Sequence, residues 1–275
     1  MRRRLLAIAL ALPLVVGALV VADMSPAHAA DVRDISFPQC GMKLPGTNAA
    51  SAGVLGANGG RSFTKNPCLV EQLRWAKQLA EAPAFYMNTG NPGPRHKTNW
   101  PLGQTMPRMC SASDPNSLGC SYDYGWNSAQ YAFRTAVAAA KKLHGVSDAN
   151  AQHRVSNVDW WLDVEILNSW QTLNHGATAA NGARDTQAIA GAINALWAYG
   201  VAQVGVYSTT YQWTAVTGSP ALIHGWFRSN PVWLAGFDNH NDAAAGCHRR
   251  SFTGGKVLLT QYLHKDGFDA NVRCG

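Results

Sequence analysis

Residues 159–170 read DWWLDVEILNSW. Six apolar or aromatic side chains, Trp160, Trp161, Leu162, Val164, Ile166 and Leu167, surround two carboxylates, Asp163 and Glu165. Burying charge in such a run is costly unless the charge serves a purpose. As a strand, the segment turns residues i and i+2 to one face, so Asp163 and Glu165 project together with Val164 opposite. Their Cα atoms would then lie about 6.5–7 Å apart. Apolar neighbours and mutual repulsion should raise the pKa of one carboxyl while its partner stays ionised. Such a pair suits general-acid chemistry at a glycosidic bond. A bare D-x-E is common, and an alternative is that both acids simply pair with arginines.

Outward from this segment the chain alternates strand-like and helix-like patterns. Strands are expected at 32–37, 52–58, 83–89, 159–165, 203–209, 231–237 and 256–263, with a short last one near 268–272. Apolar residues at helical spacing predict helices over 68–82, 128–145 and 186–200, the last two stopping at Gly145 and Gly200. Alternating strand and helix is the pattern of a parallel sheet with helical crossovers. About eight strands in one domain point to an α/β fold, a single TIM-like barrel that is helix-poor in its C-terminal part. A doubly wound open sheet is the alternative. No GxGxxG follows the first strand and no GxxxxGK[ST] occurs, so a nucleotide site has no local support. The segment 90–127 is rich in Gly, Pro, Ser and Asn and is too long for a plain connection. It predicts a functional loop on the C-terminal face of the barrel.

The first thirty residues predict an export signal: Arg2, Arg3 and Arg4, an apolar run from Leu5 to Val21, and AHA at 27–29 before the expected cleavage. A membrane anchor is the alternative reading of that run. Residues 31–275 then form the one barrel domain, a secreted chain with no stable membrane insertion after cleavage. The formal charge of +7 includes Arg2, Arg3, Arg4 and Asp23, which leaves +5 after cleavage. The positive charges are scattered, which argues against a nucleic-acid partner. A diffuse basic balance suits anionic surfaces such as cell-wall polymers. All six cysteines, Cys40, Cys68, Cys110, Cys120, Cys247 and Cys274, follow the signal and predict disulfides. Of the fifteen possible connectivities, Cys110–Cys120 and Cys247–Cys274 are favoured, leaving Cys40–Cys68. No cysteine or histidine spacing suggests a metal, and no cofactor is implied.

Aromatic residues at expected loops or strand ends (Trp100, Tyr122, Tyr124, Trp126, Trp170 and Trp213) could stack on sugar rings; core packing is the alternative. Four motifs in order carry a resemblance. DISFPQCG (34–41) resembles an opening D-[VI]-S-x-x-Q-G strand, with Cys40 standing before Gly41. LDVE (162–165) resembles a fourth-strand D-x-E, and VGVYST (204–209) the G-[IV]-Y-[ST] strand after it. LTQYLHKDGFDAN (259–271) resembles a closing W-Q-Y…D-x-N, with Thr260 where Trp is usual. Together they resemble the glycoside hydrolase family 25 superfamily of lysozyme-type muramidases. The resemblance implies an eight-stranded barrel hydrolysing the β-1,4 bond of peptidoglycan, without metal or cofactor. It implies Glu165 as general acid and Asp163 as the residue orienting the 2-acetamido group or stabilising the oxocarbenium-like centre. Asp34 and Asp269 would line the same pocket. Tyr86, Tyr124, Trp126, Trp170, Tyr207 and Gln261 are the candidate substrate contacts. A non-catalytic carbohydrate-binding protein on the same barrel is the alternative function. Neither the oligomeric state nor the particular glycan follows from the sequence.

Overall fold

The computed structural model describes residues 31–96, 98–218 and 225–275. The expected export signal, 1–30, lies outside the described residues. Eight strands close in chain order into one barrel: β1 (Val32–Ile35), β2 (Ala52–Gly56), β3 (Ala84–Asn88), β4 (Trp160–Asp163), β5 (Val204–Ser208), β6 (Val232–Phe237), β7 (Val257–Leu263) and β8 (Asp269–Arg273). Each lies at one of the segments where the sequence pattern places a strand. Strands β1 to β7 pair in parallel, whereas β8 runs antiparallel to both β7 and β1. The link 264–268 forces this reversal, because a parallel crossover needs about a dozen residues or more. Asp269, the first residue of β8, therefore sits at the same end of the barrel as the last residues of the parallel strands.

Around the barrel lie α1 (Leu69–Ala76), α2 (Leu118–His144), α3 (Asp148–Ser156), α4 (Gln171–Asn174), α5 (Ala179–Ala198), α6 (Thr210–Thr217) and α7 (His240–Gly246). The sequence pattern places no helix at α3, α4, α6 or α7. In α3 only Ala151 and Val155 are buried, too few for a helical stripe to register. The expected loop 90–127 needs a larger correction. Helix α2 begins at Leu118, where the Ser117 hydroxyl caps it by accepting from the Cys120 N–H at 3.1 Å. The Gly, Ser and Asp content of 118–127 looks like loop composition, but it serves a close helix crossing. A Cβ on Gly125 would stand 1.8 Å from the Ala188 carbonyl oxygen, and one on Gly191 would stand 2.0 Å from that of Tyr122. Helices α2 and α5 can approach this closely only because both positions lack a side chain.

Strand residues alternate between two cores. Ile35, Leu55, Phe85, Met87, Trp160 and Leu162 face the helices. Val54, Trp161, Trp233 and Leu259 fill the barrel interior. A Cβ on Gly205 would meet the Trp161 ring at 2.2 Å, so this glycine makes the room that Trp161 occupies inside the barrel. Three disulfides join all six cysteines. Cys40–Cys68 ties the exit of β1 to the start of α1, and Cys110–Cys120 closes the long loop onto the first turn of α2. Cys247–Cys274 fastens the end of α7 to the end of β8.

Candidate active site

Above the Trp161–Trp233 layer the inward positions become polar. Asp34 of β1, Tyr86 of β3, Asp163 of β4, Tyr207 of β5, Gln261 of β7 and Asp269 of β8 converge, with Glu165 just beyond β4, around a cavity of about 180 Å³. Ser36, Gln39 and Trp233 complete its wall, and among the described residues no Lys, Arg or His lines it. Trp233 is an aromatic floor, its ring 4.5 Å from that of Tyr207 and 6.1 Å from that of Tyr86. This is the C-terminal end of the parallel strands, where barrel enzymes carry their chemistry.

Hydrogen bonds fix each acid. The Tyr207 hydroxyl donates to Gln261 Oε1 at 2.7 Å, which turns Gln261 Nε2 toward Asp34 Oδ2 at 2.5 Å. Asn88, paired in register with Asp163, donates to its carboxylate, and Asn168 Nδ2 donates from 3.3 Å. Gln212 Nε2 reaches Glu165 Oε1 at 3.4 Å. The Asp163 and Glu165 carboxyl groups stand within hydrogen-bonding reach of one another. Strand β4 ends at Asp163, so Glu165 lies past it and less deeply buried.

Burial raises all four carboxyls. Asp34 is pushed up to about 8, first by burial and then by the charge of Asp269. Asp163 rises through burial and then through Glu165. Glu165 rises through burial, opposed by hydrogen bonds from Gln212 and Asp163, and Asp269 rises through burial. The cluster thus keeps protons at a pH where ordinary carboxyls have lost them. The Tyr86 and Tyr207 phenols are also raised, mainly by burial and then by these acids, so they remain neutral donors. Among the described residues, no group of three or more His, Cys, Asp and Glu side chains is placed to hold a metal ion.

Tyr124, Trp126 and Trp170 do not line the cavity. Tyr124 packs with Trp100 and the Cys110–Cys120 bridge in a small core beneath the long loop. Trp126 stacks on Tyr122 and packs against the helix-facing core. Trp170 is fully buried, and its indole N–H donates to the Glu165 carbonyl at 2.9 Å. Trp213 is likewise buried, against Phe227 and Phe252. Exposed apolar side chains at the exits of β1, β4 and β5 do occur in Phe37, Leu167 and Tyr211.

Several contributors have only faint sequence signals. Trp233 follows from the alternation of PVWLAGF, and Asn88 is the polar end of an otherwise apolar strand. Asp185 has no local signal at all. Buried on α5, it accepts from the Gln171 and Thr172 backbone N–H groups, the Thr172 hydroxyl and Asn91 Nδ2, all within 3.1 Å. It acts as the N-cap that Trp170 cannot be for α4, and so steadies the segment that follows Glu165.

No family model matches the sequence, and no curated protein matches it. The backbone does match solved structures. A muramidase from Trichobolus zukalii aligns over 90% of this chain and 94% of its own, at 16% identity and a TM-score of 0.55. A muramidase from Acremonium alcalophilum gives 90% and 94% coverage, 16% identity and a TM-score of 0.52. A family 25 glycosyl hydrolase from Bacillus anthracis gives 90% and 89%, 11% identity and 0.53. At such identities the likeness is one of fold: the chain has the barrel of the family 25 muramidases.

Proposed function

We propose that the chain is a secreted glycoside hydrolase cleaving the β-1,4-linked glycan of bacterial peptidoglycan, with Glu165 as general acid. The observation that carries this reading is the carboxyl cavity at the C-terminal end of the parallel strands, lined by no cation among the described residues, with Glu165 at its lip beside Asp163. Burial holds Glu165 protonated at a pH where an exposed glutamate would be ionised, so it can give its proton to the leaving-group oxygen. Asp163 touches Glu165 and so approaches the sugar from the same side. That closeness favours a role for Asp163 other than the opposite-face nucleophile of a two-carboxylate mechanism. Its place, steadied by Asn88 and Asn168, suits holding the N–H of a 2-acetamido group. The acetamido carbonyl oxygen then attacks the anomeric carbon as the glycosidic C–O bond breaks. Water opens the resulting ring, returning its proton to Glu165. Asp34, which holds its proton up to about pH 8, and Asp269 line the same cavity as further hydrogen-bonding groups for the sugar. Phe37, Leu167 and Tyr211 offer surfaces for the apolar faces of flanking sugars.

Secretion is supported by the three disulfides, and among the described residues no helix is long and apolar enough to cross a membrane. The linkage is tested by digesting purified peptidoglycan, reducing the products with borohydride and identifying the new terminal sugar. Reduced N-acetylmuramic acid is expected. Reduced N-acetylglucosamine as the main new end would reject the muramidase assignment.

A further inference from the structure

A cleft of about 740 Å³ lies at the other end of the barrel, beside the starts of β3 and β4 and between α1, α2 and α3. Its floor is apolar, with Leu73, Phe85 and Val155. Lys77, just past α1, His144, the last residue of α2, and His153 and Arg154 of α3 line its walls. Its one acid, Glu81, is already paired with Arg273 at 2.6 Å. Among the described residues, no carboxylate lies within ion-pair distance of Lys77 or Arg154. Burial, and then the positive charges of Arg154 and Lys77, push the His144 imidazole below its usual range. Arg74 and Lys142 add exposed positive charge on the same helices.

The two cavities thus differ in sign: acids fill the upper one, and the lower one carries Lys77 and Arg154 with no carboxylate partner among the described residues. Lys77, His144, His153 and Arg154 bring exposed cationic and titratable groups to one cleft from three separate elements. They match spaced negative charges along a chain, whose carbon backbone can lie on the apolar floor. None of the large exposed apolar side chains lines this cleft, so it lacks the anchors that insertion into a lipid surface requires. We propose that this cleft is a second, non-catalytic site that binds a phosphodiester-linked anionic polymer, the chemistry of phosphate-bearing cell-wall polysaccharides. Binding there would hold the chain on a wall while leaving the carboxyl cavity open. The inference does not depend on glycan cleavage.

The test is calorimetric titration of the full chain with poly(glycerol phosphate), with neutral dextran and phosphatidylglycerol vesicles as comparisons. Lys77→Glu/Arg154→Glu should weaken polymer binding at least ~10-fold and lower the slope of log K against log[salt] by about two. Arg249→Glu, outside the cleft, should change binding less than ~2-fold, the scale of a diffuse charge effect. The milder Lys77→Gln/Arg154→Gln pair guards against misfolding and should also weaken binding. The His144 imidazole, followed by NMR, should titrate at higher pH once polymer is bound. The proposal is overturned if the wild type binds the polymer no better than dextran, or if Arg249→Glu weakens it as much as the cleft variants. Vesicles binding as tightly as the polymer, through the same cations, would overturn it in favour of a membrane surface.

Discussion

Replacing Asp34 by Asn should stabilise the protein at neutral pH. In the folded chain burial, and then the charge of Asp269, push the Asp34 carboxyl up to about 8 from its ordinary value of 3.8. Between these values the folded chain holds a proton that the unfolded chain has released. A raised carboxyl therefore contributes stability that is full below about pH 4 and is lost as pH rises toward 8. At about 1.4 kcal/mol for each tenfold change in proton affinity, the loss by pH 7 is at most about 4 kcal/mol. Asparagine has nothing to ionise, and its carbonyl can still accept from Gln261 Nε2. Asp34→Asn should thus gain about 1–4 kcal/mol over wild type at pH 7, or a Tm higher by roughly 2–10 °C for a domain of this size. At pH 3 the two should agree within about 1 kcal/mol, since both side chains are then neutral. Thermal unfolding followed by circular dichroism from pH 3 to pH 8 reads this out. A variant less stable than wild type at pH 7, or a difference that does not change with pH, would refute the argument. A gain in stability with a loss of activity is the usual sign of a residue kept for function.

Other substitutions probe the surroundings. Asp185→Ala leaves the first N–H groups of α4 without their buried acceptor and should cost about 2–4 kcal/mol in urea denaturation; a cost below about 0.5 kcal/mol would show that the cap is dispensable. Gly125→Ala drives a methyl group into the Ala188 carbonyl, so it should lower stability by about 3 kcal/mol or prevent folding, whereas Gly60→Ala tests only its turn conformation and should cost less. Tyr211→Ala and Leu167→Ala should raise KM for long glycan several-fold while leaving Tm within a degree or so, because both side chains are exposed. Because burial raises Glu165, the alkaline limb of kcat/KM should lie above the ordinary glutamate value of 4.5; a limb at or below that value would separate Glu165 from the acid step.

The barrel was legible because its signals are local. Strand residues alternate between two cores, and each run from VRDISF to FDANV carries that alternation. The carboxyl pair stood out because charge inside DWWLDVEILNSW conflicts with its apolar neighbours. Tyr124, Trp126 and Trp170 were misplaced for a physical reason. An aromatic ring serves a core or a sugar equally well, and only the start of α2 at Leu118 and the seating of Trp170 beneath Glu165 decide between them. Gly119 and Gly125 hid that helix start, since tight helix crossing and loop freedom call for the same residue. Asp185 and Gln212 were invisible because they reach the site from distant elements, through contacts that no sequence period encodes. The antiparallel β8 departs from the expected parallel sheet because 264–268 is too short for a crossover.

The most direct test of the central claim is reducing-end release from purified peptidoglycan by wild type and Glu165→Gln at equal concentration. The account predicts release by the wild type and a loss of several orders of magnitude in the variant, which keeps the fold and the affinity for glycan. Equal release by both would remove Glu165 from the acid role. Glycan binding by both without release by either would contradict catalysis and make the barrel a carbohydrate-binding protein.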